Sequence, residues 1–371
     1  MMIKHNPDNE RIKRKYFIFM KEAKGQDEES IDAIAKALNR FEIYTHFKNF
    51  KAFHHQQAVG FKKYLSQQNG QQSGKKLSKA TMNTTVRHLK ALFQWLSMQA
   101  GYKSHINWHD AEYFNLSEKD VRVATAKRLK VAPTIEQVKH VLDSMPNGSA
   151  LEKRNRAIVA FTLATGARDS AIASFKLKHI DLIAGSVFQD AREVKTKFSK
   201  TFTTTFFPVG DEVIKIIHDW VSYLRNDRLW GNDDPLFPKT LVGQSDNMTF
   251  QATDIKKEHW SNASPIRTIF KSAFEAADLP YFNPHSFRDT LVSLGEKNCQ
   301  SPEQFKAWSQ NLGHTKVLTT FLEYGDVQPT RQAELIKQLD KPRSEVGAAL
   351  NTKEIAMAVA REMKNQSMKC E

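Results

Sequence analysis

The sequence predicts a mainly α-helical protein with one small antiparallel β-sheet, divided into a helical N-terminal domain and an α+β C-terminal domain. Three observations support this fold class. The chain has 371 residues, which is long enough for two domains with separate cores. Its apolar residues mostly recur at helical spacing, and residues 187–209 change to a Val, Thr and Phe pattern typical of strands. Its 40% hydrophobic and 26% charged residues are typical of a soluble globular protein.

Composition and periodicity divide the chain into five parts. They are an N-terminal extension (residues 1–29), a helical domain (30–118), a linker (119–133), a second domain (134–335) and a C-terminal helical tail (336–371). The linker is assigned to the stretch SEKDVRVATAKRLKVAP, which is highly charged, lacks an apolar stripe and ends in proline.

Positive charge is concentrated in the first third of the chain. The net charge is +14, and residues 1–130 contain 24 Lys and Arg against 12 Asp and Glu. Residues 43–109 contain ten basic residues and no acidic one. A solvated surface normally mixes both signs, so this segment predicts a polyanionic partner. Nucleic acid is favoured because basic side chains release its condensed counterions, and an anionic membrane surface is the weaker alternative.

One helix of the first domain combines a core face with a basic face. The stretch LSKATMNTTVRHLKALFQWLSMQAG has Ser78 as a candidate N-cap and an apolar stripe from Val86 to Leu96. Basic residues off the stripe and in the preceding polar loop are the candidates for DNA contacts: Lys75, Lys76, Lys79, Arg87 and Lys90.

The second domain is expected to begin with a helix capped by Thr134, followed by the apolar helix RAIVAFTLATG. Gly166 is expected to end this second helix as a left-handed C-cap. Arg168 follows just before a short helix that Asp169 or Ser170 could cap. Arg168 either pairs with Asp169 or is held in this turn for a ligand.

Residues 187–209 predict a β-hairpin that turns near KFSK and carries Lys195, Lys197 and Lys200. These lysines are either solvated or able to reach a reacting phosphate. The stretch DEVIKIIHDWVSYLR then returns to the helical period. Residues 239–264 are expected to form a long irregular loop. Helices are expected from Pro265 onward.

The stretch FNPHSFRDTLVSLGEK predicts a helix that begins with a phosphate site. Asn283 is a candidate N-cap and Pro284 suits the first helical position. His285 and Arg288 are three residues apart and share a face beside the free N–H groups of the first turn. The alternative is a surface His and Arg that have this spacing by chance.

The stretch NLGHTKVLTTFLEYGDV contains the last candidates. Gly313 is expected to end a helix, and His314 follows it directly. A following helix would carry Tyr324 on the same side, about three turns later. Tyr324 is either a packing residue or a nucleophile.

The patches ATGAR, HSFR and LGH with a downstream Tyr occur in the order Arg, Lys, His-x-x-Arg, His, Tyr. Over about residues 30–330 the chain therefore resembles the tyrosine recombinase, or phage-type integrase, family. The resemblance implies a core DNA-binding domain followed by a catalytic domain. It also implies a site-specific recombinase that cuts and rejoins DNA through a 3′-phosphotyrosine intermediate.

The resemblance implies a role for each matched residue. Arg168 and Arg288 would clamp the non-bridging oxygens of the scissile phosphate, His285 would serve proton transfer, and His314 would hydrogen-bond the phosphate. Tyr324 would attack the phosphorus.

The general acid for the 5′ oxygen is best matched to Lys197, with Lys200 or Lys195 as alternatives. No metal or other cofactor is implied, and Cys299 and Cys370 match no metal-site spacing.

The implied partners are double-stranded DNA and further copies of the chain, with a dimer on each site and a tetrameric synapse. The amphipathic tail, residues 344–364, would pack on a neighbouring subunit or within its own. We expect a cytoplasmic, DNA-associated protein without membrane contact. No apolar run approaches about eighteen residues, and the N-terminus lacks the apolar segment of a signal peptide.

Two positions depart from the usual pattern of the family. Ala171 stands where an acidic residue usually follows the first Arg, and Asp169 is the candidate replacement. His314 and Tyr324 are ten positions apart where nine is usual, and one residue rotates a helix by about 100°. Two other functions therefore stay open: a DNA-binding relative of the same fold that no longer cuts, and a type IB topoisomerase-like enzyme that relaxes DNA.

Overall fold

The computed structural model describes residues 5–70, 74–126, 131–244, 248 and 250–314. The chain forms two compact units, Met1–Arg128 and Leu129–Glu371, and each has its own hydrophobic core. Both units are predominantly helical, and the strands of the second unit pair antiparallel in small sheets. The predicted fold class, mainly α with a small antiparallel sheet, is confirmed.

The first unit is helical throughout its described part. Its α-helices are α1 (Pro7–Ile18), α2 (Glu28–Tyr44), α3 (His55–Gln67), α4 (Lys79–Leu96) and α5 (Glu118–Thr125). Ser78 caps α4 as predicted, because its Oγ accepts the backbone N–H of Thr81 at 3.1 Å. Helix α1 contributes Ile12 and Tyr16 to the core, so the N-terminal residues 1–29 include a helix that is part of this unit.

Aromatic rings fill the core of the first unit. The Phe53 and Phe93 rings stack with their centroids 3.8 Å apart, and Phe114 of a 3₁₀ helix (Trp108–Phe114) stacks on both. The predicted apolar stripe of α4 is buried: Val86, Leu89, Phe93 and Leu96. Helix α4 therefore faces the core with one side, and Arg87 on another side is exposed.

The second unit is built around one buried helix. Its α-helices are α6 (Ile135–Ser144), α7 (Ala150–Thr165), α8 (Asp169–Ile172), α9 (Asp211–Ser222), α10 (Ser264–Ala276), α11 (Ser286–Asn298) and α12 (Pro302–Asn311). The second half of helix α7, residues 157–165, is almost entirely apolar and fully buried, and the helix packs against α6, α9, α10 and α11. A helical segment that is hydrophobic all round has to be buried.

Three predicted helix ends of the second unit agree with the structure, and two do not. The start of α11 differs, and α8 has Arg168 at its N-cap position, without the predicted cap by Asp169 or Ser170. Thr134 forms a capping box with Gln137, and Gly166 ends α7 in the left-handed conformation with φ of +60°. Gly313 follows α12 with φ of +74°. Helix α11 begins at Ser286, two residues later than predicted, with His285 and not Asn283 at the N-cap position. The Asn283 side chain accepts the N–H of Ser286 from the turn before the helix.

A three-stranded antiparallel sheet contains the predicted hairpin. Its strands are β1 (Ile180–Asp181), β2 (Ser186–Gln189) and β3 (Phe202–Thr205), in the order β1-β2-β3. The Gln189–Phe202 pair is the last of the ladder, so the strands are shorter and the connection longer than predicted. Lys197 lies in a 3₁₀ turn (Lys197–Ser199) and not at the end of the first strand, as the sequence had indicated. The strand ends early because Asp190 accepts the backbone N–H groups of Arg192 and Val194 in a local turn.

The prediction of an irregular loop for residues 239–264 is wrong. Strands β4 (Lys239–Gln244) and β5 (Phe250–Lys256) pair antiparallel there, with a register shift at Leu241 and Val242. Both strands are largely exposed and polar, so the apolar alternation that identifies a half-buried strand is missing from the sequence. No helix in the described part of the chain is long and apolar enough to cross a membrane.

Candidate active site

The buried guanidinium of Arg288 joins three of the predicted patches. Its Nη1 donates to the carbonyl of Gly166 at 2.7 Å, and its Nη2 donates to the carbonyl of Leu312 at 2.5 Å. The same Nη2 lies 2.8 Å from Nε2 of His314. Arg288 is 3% exposed and His314 is 7% exposed. Arg288 therefore fixes the end of α7 and the turn after α12 against the first turn of α11.

Gly166 allows this close approach. A Cβ at this position would lie 2.9 Å from Cδ2 of Leu312 and 3.0 Å from Cδ1 of Leu291, and the φ of +60° disfavours any other residue. The turn after α7 can therefore touch α11 and α12 only because its residue has no side chain.

His314 lies in a strongly positive environment. Burial, together with the nearby positive charges of Arg288, Arg168, Lys200 and His285, lowers its pKa to about 3. The imidazole is therefore neutral at physiological pH. Since Arg288 can only donate, Nε2 of His314 is the acceptor and the ring proton is assigned to Nδ1.

Arg168 occupies the N-cap position of α8, in the turn that follows Gly166. The suggested pairing with Asp169 is replaced by another one, because the Asp169 carboxylate binds Nε of Arg267 at 2.6 Å. Its other oxygen accepts the N–H of Ser170. Ala171 is buried, so the position at which the family usually has an acid faces the core here. Asp169 and Arg267 join α8 to α10 beside Arg168.

The structure distinguishes the three candidate lysines. Lys200 is the one whose charge acts on His314. Nζ of Lys197 lies 4.9 Å from the ring centroid of its neighbour Phe198, which is 78% exposed. Nζ of Lys195 donates to the carbonyl of Ser261. The geometry therefore favours Lys200 over Lys197 as the lysine of the site.

Ser170, which the sequence analysis considered only as a helix cap, and Ser174, which it did not consider, attach the lysine loop to α8 and the residues after it. The Ser170 hydroxyl donates to the carbonyl of Lys195 at 3.2 Å, and the N–H of Lys195 donates to the Ser174 hydroxyl at 2.9 Å. Helix α8 directly follows Arg168, so these bonds connect the loop to the segment that carries the first arginine. Serine on a short helix is too common to have indicated this from sequence.

His285 is exposed at the N-cap position of α11, and its charge also acts on His314. The structure thus brings Arg168, Lys200, His285 and Arg288 close to His314. Tyr324 and the C-terminal tail, residues 336–371, lie outside the described residues.

The basic residues of the first unit differ in their surroundings. Lys79 pairs with Asp120 at 2.8 Å, and Lys90 pairs with Glu112 at 2.7 Å. The acid-free segment thus acquires carboxylates from the residues that follow it in the chain. Side chains of Lys75, Lys76 and Arg87 are exposed.

Comparison with known proteins identifies relatives of the chain. Residues 134–331 match the model of the phage integrase family. The tyrosine recombinase XerC of Lactobacillus delbrueckii subsp. bulgaricus is 26% identical over 254 residues, which cover 67% of this chain and 72% of the relative. XerC of Alcanivorax borkumensis is 23% identical over 203 residues, covering 54% of this chain and 58% of the relative.

Solved structures share the fold. A lambda integrase dimer bound to a COC′ core site has a TM-score of 0.55 at 13% identity, covering 92% of this chain and 84% of the integrase chain. The Tn1549 transposon integrase in complex with a circular intermediate DNA also has a TM-score of 0.55, at 14% identity, covering 88% of this chain and 99% of the other. XerH recombinase bound to its difH substrate has a TM-score of 0.53 at 16% identity, covering 84% of this chain and 79% of the other.

Proposed function

The chain belongs to the phage integrase family, and we propose that it cuts and rejoins DNA with the residues assembled around His314. Family membership makes it a tyrosine recombinase, an enzyme of site-specific DNA strand breakage and rejoining. The observation that supports the proposed residues is the convergence of four cationic or ionisable side chains on one buried, neutral imidazole. Such a site suits the scissile phosphate, which gains negative charge in the transition state.

Arg288 and Arg168 hold the non-bridging oxygens of the phosphate. The planar guanidinium matches two oxygens and keeps its charge at any working pH. Arg288 is already oriented by carbonyl groups from two different segments, so little reorganisation is needed when DNA binds. Preorganised donors of this kind stabilise developing charge without a metal ion.

Lys200, and not Lys197, is the general acid. It protonates the 5′ oxygen while the bond between that oxygen and phosphorus breaks. The charge of Lys200 lowers the pKa of His314, whereas Nζ of Lys197 lies over the ring of Phe198.

His314 offers its Nδ1–H to a phosphate oxygen, since its Nε2 accepts from Arg288. Tyr324 attacks the phosphorus through its phenolic oxygen, and His285 takes the phenolic proton. The new bond between the phenolic oxygen and phosphorus replaces the bond that breaks. Its energy is retained, so the 5′ hydroxyl can reverse the step without a nucleotide cofactor.

DNA is the partner we propose for both units. The lambda integrase, Tn1549 integrase and XerH structures named above are DNA complexes, and the lambda integrase in its complex is a dimer. We propose a dimer on each site and a tetramer in the synapse, with the amphipathic tail, residues 344–364, joining subunits.

A covalent-adduct assay tests the proposed nucleophile. Wild-type protein is incubated with a pool of nicked duplexes that carry randomised arms, and denaturant-stable, protease-sensitive DNA is recovered. Tyr324→Phe is expected to give no adduct. Tyr281→Phe is the matched control, because Tyr281 is an exposed tyrosine of the same unit. An adduct formed by Tyr324→Phe would assign the attack to another residue.

The same assay separates the other two functions. A wild-type protein that binds the selected DNA but gives no adduct would be a non-cutting relative. Adducts without any shared sequence, together with relaxation of supercoiled plasmid, would indicate a topoisomerase-like enzyme. Adducts on one recovered sequence, with strand exchange between two such duplexes, are the outcome expected of a site-specific recombinase.

A further inference from the structure

The side chain of Asn311 pairs with the free edge of the small sheet. The N–H of Thr205 donates to Asn311 Oδ1 at 2.7 Å, and Nδ2 of Asn311 donates to the carbonyl of Thr205 at 2.8 Å. A primary amide carries one acceptor and two donors, so it reproduces the two bonds that a neighbouring strand would make. Strand β3 is thereby joined to the last residue of α12, 106 positions later in the chain.

A buried hydroxyl adds a second connection at the same place. The Thr204 Oγ1 donates to the backbone carbonyl of Asn311 at 3.0 Å and accepts from Nε2 of Gln189 at 3.0 Å. Thr204 is 0% exposed and Gln189 is 5% exposed. Loss of one partner would leave buried polar groups unsatisfied, which makes this chain of bonds stable as a unit.

The third connection is a steric one. Gly313 has a φ of +74°, and a Cβ there would lie 2.5 Å from the ring of Phe202 in β3. The ring of Phe202 therefore packs directly on the backbone of the turn. Three of the four residues of β3 thus contact the end of α12 or the turn after it: Phe202, Thr204 and Thr205.

Both ends of this contact adjoin the candidate active site. Lys200 precedes Phe202 by two residues, and His314 follows Gly313 directly. The bonds made by Asn311 therefore connect the strand that follows Lys200 to the helix that precedes His314. Asn311 itself is not one of the proposed catalytic residues.

We propose that Asn311 is a positioning residue that, together with Thr204, holds Lys200 at the distance from His314 at which it can protonate the 5′ oxygen. The inference rests on the proposed function, in which Lys200 is the general acid. A loop of about ten residues that carries a lysine needs such an anchor, because a displacement of about 1 Å can reduce a rate about 100-fold.

The test uses a substrate that needs no general acid. In a 5′-phosphorothiolate duplex, sulfur replaces the 5′ bridging oxygen and leaves as a thiolate without protonation. Asn311→Ala is expected to cleave the ordinary duplex about 10- to 100-fold more slowly than wild type and to cleave the thiolate duplex at nearly the wild-type rate. Lys200→Ala is the reference variant: it is expected to cleave the ordinary duplex slowly and the thiolate duplex at nearly the wild-type rate.

Matched variants distinguish a loss of lysine positioning from a general loss of protein stability. Gln310→Ala changes the exposed neighbour of Asn311 on α12, and Thr203→Val changes an exposed threonine of β3 beside buried Thr204. Both are expected to behave as wild type. Thr204→Val removes the hydroxyl and is expected to match Asn311→Ala, whereas Thr204→Ser keeps the hydroxyl and is expected to restore the rate. The unfolding temperature of each variant is measured alongside.

The outcomes are distinct. Equal losses on both substrates would overturn the inference and assign Asn311 a purely structural role, as would an Asn311→Ala variant with a wild-type rate on the ordinary duplex. A wild-type protein that forms no adduct on either substrate would instead contradict the proposed function.

Discussion

At the scale of single residues, the pair formed by Arg288 and His314 explains most of the site. Both side chains are buried. Backbone carbonyls of two other segments orient Arg288, and Arg288 in turn contacts the imidazole of His314. The sequence predicted both residues from short patches but not their contact, because no spacing rule relates residues 26 positions apart. The contact depends on how α11 and α12 pack, which is a tertiary property.

The depressed pKa of His314 predicts a specific dependence of stability on pH. Unfolded His314 binds a proton near pH 6.5, whereas the folded side chain binds one only near pH 3. Its contribution is fully present above pH 6.5 and is lost as the pH falls toward 3. Relative to His314→Gln, the wild-type free energy of unfolding should fall by about 1.4 kcal/mol for each pH unit between 6 and 4. Denaturant titrations of both proteins across this range measure the difference, and parallel curves would contradict the assigned burial.

Alanine substitutions at two glycines with the same backbone conformation can distinguish the cost of backbone strain from the cost of a steric clash. Gly166 and Gly185 have φ of +60° and +59°, but only Gly166 lacks space for a Cβ. Gly185→Ala should lower the free energy of unfolding by about 1–2 kcal/mol through backbone strain. Gly166→Ala should lower it by about 1–3 kcal/mol more, because Leu312 and Leu291 must move. Equal losses in denaturant unfolding would show that the turn adapts to a side chain.

At the scale of elements, capping signals predicted the helices well and the strands poorly. Thr134, Gly166 and Gly313 mark helix ends through local chemistry that the sequence displays directly. The β4–β5 hairpin has few buried side chains, so its pairing depends on backbone bonds that leave no pattern. Helix α12 is placed by a contact that no pattern indicates, since the Trp308 indole packs on Gly295 and donates to the carbonyl of Leu291.

The loop between β2 and β3 carries the candidate lysines, and its conformation also could not be predicted from the sequence. The family pattern favoured Lys197, but Lys197 lies in a 3₁₀ turn with its Nζ over the ring of Phe198. The loop is bonded at Lys195 to Ser170 of α8 and to Ser174 just after it, which are more than 20 positions earlier in the chain.

Substitution of the two lysines tests this assignment. Lys200→Ala should reduce the cleavage rate of a nicked duplex by about 10²- to 10⁴-fold, the usual contribution of a general acid. Lys197→Ala should reduce it less than tenfold, because its charge is farther from the phosphate. Single-turnover adduct formation, at saturating protein, measures both without a contribution from binding. A larger loss of cleavage rate for Lys197→Ala than for Lys200→Ala would assign the general acid to Lys197, as the family pattern had suggested.

At the scale of the whole molecule, the sequence showed the uneven distribution of charge. It did not show which basic side chains are neutralised by ion pairs. The basic excess of residues 1–130 is a property of composition alone. Glu112 and Asp120 follow the acid-free segment in the chain and fold back onto Lys90 and Lys79. The number of basic side chains therefore overstates the number that can neutralise DNA phosphates.

Salt dependence of DNA binding distinguishes paired from exposed basic residues. Each phosphate that a side chain neutralises contributes about 0.9 to the slope of log K against log salt concentration. Arg87→Met should lower this slope by about 0.9, since Arg87 is exposed on α4. The double variant Lys90→Met with Glu112→Gln removes a neutral pair and keeps the net charge, so its slope should equal that of the parent. Titrations of a DNA duplex between about 50 and 200 mM salt, in a Tyr324→Phe background that avoids cleavage, measure both slopes. A lower slope for the double variant would mean that Lys90 leaves Glu112 for a phosphate when DNA binds, and that the pair seen in the unbound protein is a replaceable contact.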